Sequence, residues 1–391
     1  MNQGTQTAPQ TTHVCLIWTQ LSANITAALD RRLDAKAVVL ARPAERERQA
    51  EALARVLRQR GLEAIIWPLP SAHDVAALRE SFLSLVVRYE RQTLVLNTTG
   101  GSKAMSMAAF EVFRGLERAA FFVQVDTDQL VWLHPSERPS FNLDDRINLR
   151  TFLAVHGATV AATGNTHGVP AERRGLVAQL VAQRARFATA LPRLNWYANA
   201  SASDLESPPV RLSHLEDPDF QALLKLLAEH GLVSARRGRL RFSNEAARFF
   251  VNGGWLEDYV YGLAFGLRSK ISIIQDLAPS VSVVRAARVR NELDVAILAN
   301  NRLFIVECKT KRFGHDPDDM TGSADTLYKL DTLKGLLGGL SAEAMLVSYF
   351  PIGHWDRLRA EDLGIHVVDG PRLDAAERLL TTWLKHAHND A

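Results

Sequence analysis

The stretch Glu292-Leu-Asp-Val-Ala-Ile-Leu-Ala-Asn-Asn-Arg-Leu-Phe-Ile-Val-Glu-Cys-Lys309 reads as two strands joined by a short turn at Asn300-Asn301. Val295, Ile297, Phe304, Ile305 and Val306 give it the apolar, β-branched character of strands. Asn tolerates the positive φ that a two-residue hairpin turn requires. A turn centred between the two asparagines opposes Asp294 to Glu307 and Glu292 to Lys309. Alternation of strand side chains then puts all four on one face, with opposed Cβ atoms roughly 4.5–5.5 Å apart. Two carboxylates that close repel each other unless a cation lies between them. A hard divalent metal with oxygen ligands is the natural cation. Lys309 is then placed to orient a water or to stabilise charge developing on a phosphate. The plainer alternative is a charged hairpin face with two cross-strand ion pairs, although charges are seldom buried without a partner.

This Asp…Glu-x-Lys hairpin resembles the PD-(D/E)xK, or restriction-endonuclease-like, nuclease superfamily. Asp294, Glu307 and Lys309 match its motif residue by residue, with Cys308 at the x position. The resemblance implies metal-assisted phosphodiester hydrolysis: Asp294 and Glu307 hold Mn²⁺ or Mg²⁺, and Lys309 positions or deprotonates the attacking water. It also implies a metal-site acid on the first core helix, for which Glu257 in Gly253-Gly-Trp-Leu-Glu-Asp-Tyr-Val260 is the candidate. The competing account of Glu257 is an acid favoured by the helix dipole. On the helix after the hairpin, Lys329 is a candidate contact to the scissile phosphate.

At 391 residues the chain is long enough for two or three domains, and its 47% apolar content supports a full core. A net charge of +3 gives no global nucleic-acid signature, so any such surface is local. The two cysteines, Cys15 and Cys308, lie in apolar strand patterns and read as buried thiols of a reducing compartment. The polar segment Met1–Thr12 reads as a disordered N-terminus and not as a signal peptide. With no apolar run long enough to span a bilayer, the expectation is a cytoplasmic protein without membrane contact.

Residues 13–156 alternate strand and helix, as in a parallel, doubly wound α/β sheet. Residues 157–252 read as a linker followed by a small winged-helix-like segment. Its hairpin, Val233–Phe242, carries Arg236, Arg237 and Arg239, which are candidate nucleic-acid contacts or simply a solvated turn. Within this segment Gly175–Leu191 reads as one helix and 157–168 as the linker. Residues 253–391 form the second α/β unit, built on the hairpin.

Thr93-Leu-Val-Leu-Asn-Thr-Thr-Gly-Gly-Ser-Lys-Ala-Met105 is a strand, a glycine turn and a helix start. The glycines permit close backbone approach, and a helix N-terminus offers free N–H groups to an anion. The spacing is wrong for a P-loop. A helix cap with a tight turn is the alternative. Asn97 to Lys103 resembles the Asn-x-Thr-Gly-Gly-Thr/Ser-Lys signature of CARF domains, Rossmann-like sensors of cyclic oligoadenylates in type III CRISPR immunity. The resemblance implies a ligand site formed by Asn97, Thr98, Thr99, Gly100, Gly101, Ser102 and Lys103. The loop after the first strand lines the ligand in that family, which adds Trp18, Thr19, Gln20, Ser22 and Asn24 here. Trp18 either stacks an adenine or belongs to the core.

Together the two segments resemble the CRISPR ancillary nucleases that join an N-terminal CARF domain to a C-terminal PD-(D/E)xK domain. That implies a cytoplasmic homodimer activated by a cyclic oligoadenylate, with cyclic tetra-adenylate the leading ligand. It would cleave single-stranded DNA and RNA, or nick plasmid DNA, in antiviral defence. Three alternatives remain. One is a ligand-responsive transcription regulator that reads DNA through the winged-helix-like segment. Another is a metal-free HEPN-type ribonuclease using Arg150 and His156. The third is a small-molecule enzyme on the N-terminal fold.

Overall fold

The structure is a computed structural model and describes residues 10–285, 289–312 and 323–389. The N-terminal segment expected to be disordered lies outside the described residues up to residue 9, but Thr11 and Thr12 at its end are ordered by pairing into the first strand.

The first sheet contains β1 (Thr11–Leu16), β2 (Ala37–Arg42), β3 (Glu63–Pro68), β4 (Thr93–Asn97), β5 (Ala119–Gln124), β6 (Gln129–His134) and β7 (Phe141–Asn142). Their order is β3-β2-β1-β4-β5-β6-β7. The first five are parallel, and β6 and β7, at one side of the sheet, run antiparallel. The parallel strands are linked by α1 (Ser22–Leu29), α2 (Glu47–Gln59), α3 (Val75–Arg88) and α4 (Lys103–Gly115). Helix α2 illustrates why these segments pack: Ala50, Leu53, Ala54 and Leu57 recur at helical spacing and are fully buried. The short connection after β5 is too brief for a crossover helix, so β6 returns antiparallel.

After α5 (Leu149–Val155) comes β8 (Ala158–Ala162), inside the segment expected to be a linker. It is an edge strand of the second sheet, paired antiparallel with residues Ser282 to Arg285. The expected single helix over Gly175–Leu191 is two, α6 (Ala171–Ala182) and α7 (Ala190–Ala200). Pro192 falls in the first turn of α7, where proline is tolerated. Next are α8 (Leu212–Leu215), α9 (Pro218–Glu229), the hairpin β9 (Val233–Arg236) and β10 (Arg239–Phe242), and α10 (Glu245–Phe249). The helix, hairpin, helix order matches the sequence reading.

Helix α11 (Trp255–Leu267) leads into β11 (Ile274–Arg285), β12 (Val289–Ala299), β13 (Arg302–Lys309), α12 (Ser323–Leu337), β14 (Ala342–Ser348), α13 (His354–Asp362), β15 (Ile365–Asp369) and α14 (Ala376–Asn389). The second sheet has the order β15-β14-β13-β12-β11-β8. Sequence reading missed β11, whose pattern is broken by Pro279-Ser280.

One face of β13 (Leu303, Ile305) shares an apolar cluster with Leu327, Leu330 and Leu333 of α12 and Phe152 of α5. The same cluster includes Val38 and Leu40 of the first sheet, so the two sheets share a core. The other face (Phe304, Val306, Cys308) packs with Trp255 and Val260 of α11 and Trp383 of α14. The hairpin tip also docks onto the β5–β6 turn. Asn300 Nδ2 donates to the Thr127 carbonyl at 3.1 Å, Asn301 Nδ2 to Asp128 Oδ2 at 2.7 Å, and Arg302 to the Asp126 carbonyl at 2.6 Å.

Candidate functional site

Asn300 and Asn301 adopt φ of 47° and 55°, the left-handed pair that a two-residue hairpin turn requires. The ladder runs from Ala299–Arg302 to Val295–Val306, in the register expected from the turn. It ends one pair short of Asp294 and Glu307. Instead of lying simply opposed to Glu307, Asp294 accepts a hydrogen bond from the Cys308 N–H at 2.7 Å. Strand β13 continues beside β14, with Glu307 paired to Leu346 and Lys309 to Ser348. On the other side Val295 pairs with Pro279 and Leu293 with Val281, and Ser280 between them has φ 46°. Asp294 therefore sits where β12 leaves regular pairing on both flanks, and that interruption frees its carboxylate for other partners.

Glu307 is 4% exposed. Lys309 Nζ donates to its Oε1 at 2.5 Å, and Lys329 Nζ of α12 lies 4.0 Å from the same oxygen. From α11, Glu257 Oε2 accepts a long 3.4 Å bond from Ser280 Oγ. Burial, and then the charge of Glu307, push the Asp294 carboxyl up to about 7. Burial, followed by Asp294 and Glu292, pushes Glu257 to about 9. Burial alone would lower the pKa of Lys309, but Glu307 and Asp294 outweigh it and hold the ammonium charged. The four residues singled out for catalysis thus share one electrostatic site, joined by Glu292. A charged Lys309 suits positioning and charge stabilisation better than proton abstraction.

The donor set is one of hard oxygens that repel each other, which suits a hard divalent cation. Among the described residues no three acid, imidazole or thiol groups converge into a finished metal cage. Magnesium does not demand one, since it is usually held by one or two carboxylates with waters and substrate phosphates.

In the first domain Asn97 and Asn24 are fully buried. Asn97 donates to Asn24 Oδ1 at 3.2 Å and to the Ala23 carbonyl at 3.1 Å, and Asn24 donates to the Leu16 carbonyl at 3.1 Å. They clamp the two loops together. Ser22, also expected at the ligand, is buried and bonded to Ser341 Oγ across the sheet interface at 2.9 Å. A Cβ on Gly100 would lie 2.2 Å from the Leu16 carbonyl oxygen, and one on Gly101 2.6 Å from Leu16 Cδ1. These glycines are required by the first strand, whatever binds nearby. Thr98 bonds the Phe121 carbonyl, while Thr99 Oγ1 accepts from the Val123 N–H at 2.7 Å, which ties the loop to β5. Ser102 caps α4 through the Met105 N–H. Thr19 and Lys103 are exposed, and Gln20 is half-buried. Trp18 is also half-buried, with the Arg46 guanidinium 4.2 Å above its ring. Sequence reading missed Arg46, which the fold brings in from the 3-10 turn after the neighbouring strand.

Arg236, Arg237 and Arg239 are exposed on the β9–β10 hairpin, and Arg239 bonds the Ser207 carbonyl. His156 is half-buried, with its Nε2 enclosed, and is stacked on Phe152 at 4.8 Å, while Arg150 is bonded to the Val160 carbonyl.

Residues 12–152 match the family model for the Card1 CARF domain, and residues 243–387 match that for a Card1-like endonuclease domain. Protein VC1899 from Vibrio cholerae is 30% identical over 97% of this chain and 99% of its own, with a TM-score of 0.86. Can2 from Sulfobacillus thermosulfidooxidans, solved in complex with cyclic tetra-adenylate, is 25% identical over 96% of this chain and 99% of its own, with a TM-score of 0.81. A type III CRISPR defence DNA nuclease activated by cyclic oligoadenylate shares the fold, at 13% identity and a TM-score of 0.57, over 95% of this chain and 52% of that one. No curated protein matches the chain. The chain belongs to the family that joins a Card1 CARF domain to a Card1-like endonuclease domain.

Proposed function

We propose that this protein is a divalent-metal-dependent nuclease of the PD-(D/E)xK kind, switched on by a cyclic oligoadenylate, with cyclic tetra-adenylate the leading ligand. The observation that carries the catalytic half is the cluster of half-buried Asp294 and Glu257 with buried Glu307 around a charged Lys309. Such a cluster is costly to fold without a function. Asp294 and Glu307 would hold the metal, with Glu257 completing the acidic wall. When bound, the cation supplies charge neutralisation at the scissile phosphate. Lys309 stays protonated, holds Glu307 in place, and offers its remaining protons to the attacking water or a phosphate oxygen. Lys329 extends the cationic side of the site toward the substrate. The substrate we infer is single-stranded DNA or RNA.

The sensing half rests on the family of the first domain and on the ligand of Can2. Two copies would form a two-fold site for a two-fold ligand. A contact route for activation runs from Thr98 and Thr99 into β5, through the turn at 126–128, to the hairpin tip that carries the catalytic strands. Ligand binding would bias that element toward the competent arrangement. The endonuclease match favours hydrolysis over the ligand-responsive regulator.

The test is cleavage of labelled single-stranded DNA and RNA with Mn²⁺, with and without cyclic tetra-adenylate, by wild type and Glu307→Ala. Ligand-dependent cutting that the substitution abolishes is the expected result. Undiminished cutting by Glu307→Ala, or cutting in EDTA, would sink the metal-site reading. Cutting indifferent to ligand would sink the sensing half.

A further inference from the structure

A cavity of about 430 Å³ opens beside the end of β13, outside the acidic cluster. Its wall is basic and carries one large aromatic face. Arg193 and Trp196 come from α7, Arg211 from the start of α8, and Lys311 and Arg312 from the chain leaving β13. Trp196 is 54% exposed, unusually open for an indole, and its edge-on neighbour Tyr197 (5.0 Å between ring centroids) holds it from behind. Tyr197 is itself buried and fixed by its hydroxyl, which contacts His214 Nδ1 at 3.0 Å. Arg193 pairs with Asp217 and Arg312 donates to the Ala188 carbonyl, so both guanidiniums are oriented. Arg211 and Lys311 form no ion pair with the described residues. His214 titrates below its usual range through burial and then through Arg193 and Arg211, in keeping with a positive potential.

The cavity is tied to the acidic cluster by covalent and hydrogen-bond links. Asn195, buried in its wall, donates to Thr310 Oγ1 at 3.1 Å, and its own Oδ1 has no partner among the described residues. Thr310 follows Lys309, and the Cα atoms of Lys309 and Lys311 are at most about 7 Å apart by chain geometry. The cavity wall at Lys311 and the proposed hydrolytic centre at Lys309 are therefore two residues apart along the chain.

We infer that this cavity is a nucleotide subsite that seats one unpaired base of a single-stranded polynucleotide on Trp196, with Arg211 and Lys311 on its phosphates. The inference rests on the nuclease reading and extends it. An exposed indole face among oriented cations is the combination used to stack bases and track a backbone without reading sequence. Paired bases offer no free face to Trp196, so a duplex would be excluded. The same geometry would set where the strand is cut relative to the seated base.

The test is binding of labelled oligothymidylate, oligouridylate and an all-abasic strand of equal length, followed by anisotropy in EDTA with cyclic tetra-adenylate present. Trp196→Ala is expected to weaken both base-bearing strands on the order of ten-fold and to leave the abasic strand unchanged. Trp196→Phe should restore most of the affinity. Arg211→Gln and Lys311→Gln should weaken all three strands, each lowering the slope of log affinity against log salt by about 0.7. Equal loss on abasic and base-bearing strands in Trp196→Ala, or no loss on any, overturns the subsite. If the binding pattern holds but wild type cuts nothing when Mn²⁺ replaces EDTA, the hydrolytic reading fails and the subsite stands. If wild type cuts but the base-dependent loss is missing, the subsite fails alone.

Discussion

Glu257→Gln should stabilise the metal-free protein, and by an amount that depends on pH. Glu257 titrates near 9 in the folded chain against a usual 4.5, first because it is buried and then because Asp294 and Glu292 are near. The folded pKa is raised, so the stability it contributes is fully present below 4.5 and is lost as pH rises toward 9. At pH 7 the unfolded chain ionises this group while the folded chain holds it protonated. At about 1.4 kcal/mol per pH unit, the cost to wild type is on the order of 3 kcal/mol at pH 7 and near zero at pH 4.5. Glutamine removes the titration, keeps the size and can still meet Ser280. The assay is urea unfolding of both proteins in EDTA at pH 5, 7 and 8.5. The variant should match wild type at pH 5, exceed it at pH 7, and exceed it further at pH 8.5. Added Mn²⁺ should narrow the gap, because a ligand of the folded state stabilises wild type by mass action. A variant less stable at every pH, or shifted equally at all three, would refute the account of Glu257 as a strained member of the acidic site.

Three further outcomes are expected. Asn301→Ala removes the bond to Asp128, whose carboxyl burial holds well above the usual range, and should cut ligand-stimulated cleavage while leaving ligand affinity within about two-fold; equal stimulation in calorimetry-matched samples would break the proposed route. Gly100→Ala forces a Cβ to within 2.2 Å of the Leu16 carbonyl and should cost roughly 1–3 kcal/mol, read as a lower unfolding midpoint without any ligand present. His13 and His156 are held neutral by burial, each titrating near 4 rather than 6.5. Their folded pKa values are depressed, so the stability they contribute is present above 6.5 and is lost as pH falls toward 4. A stability difference between wild type and His13→Phe that does not change over that window would contradict this.

The parts of the molecule legible in the sequence were those decided by near neighbours along the chain. The alternating pattern of residues 13–156 was one, since each strand and helix carries its own period. The hairpin register was another, because Asn300 and Asn301 accept the left-handed backbone that sets the pairing from Ala299–Arg302 to Val295–Val306. The Asp294, Glu307 and Lys309 grouping followed from that register and from alternation along two strands.

What only the tertiary structure decided depended on distant partners. The strand Ala158–Ala162 exists because β11 offers it an edge, and nothing in its small-residue composition announces this. The break in pairing at Asp294 needs Ser280, on a third strand, to turn left-handed. Asn97 and Asn24 look like ligand donors until the fold buries them against each other. The basic cavity gathers Arg193, Trp196, Arg211 and Lys311 from three segments spread over more than a hundred residues. Local periodicity reports what a segment would form, while the partner that gives it a role is chosen by burial and hydrogen-bond satisfaction across the whole chain.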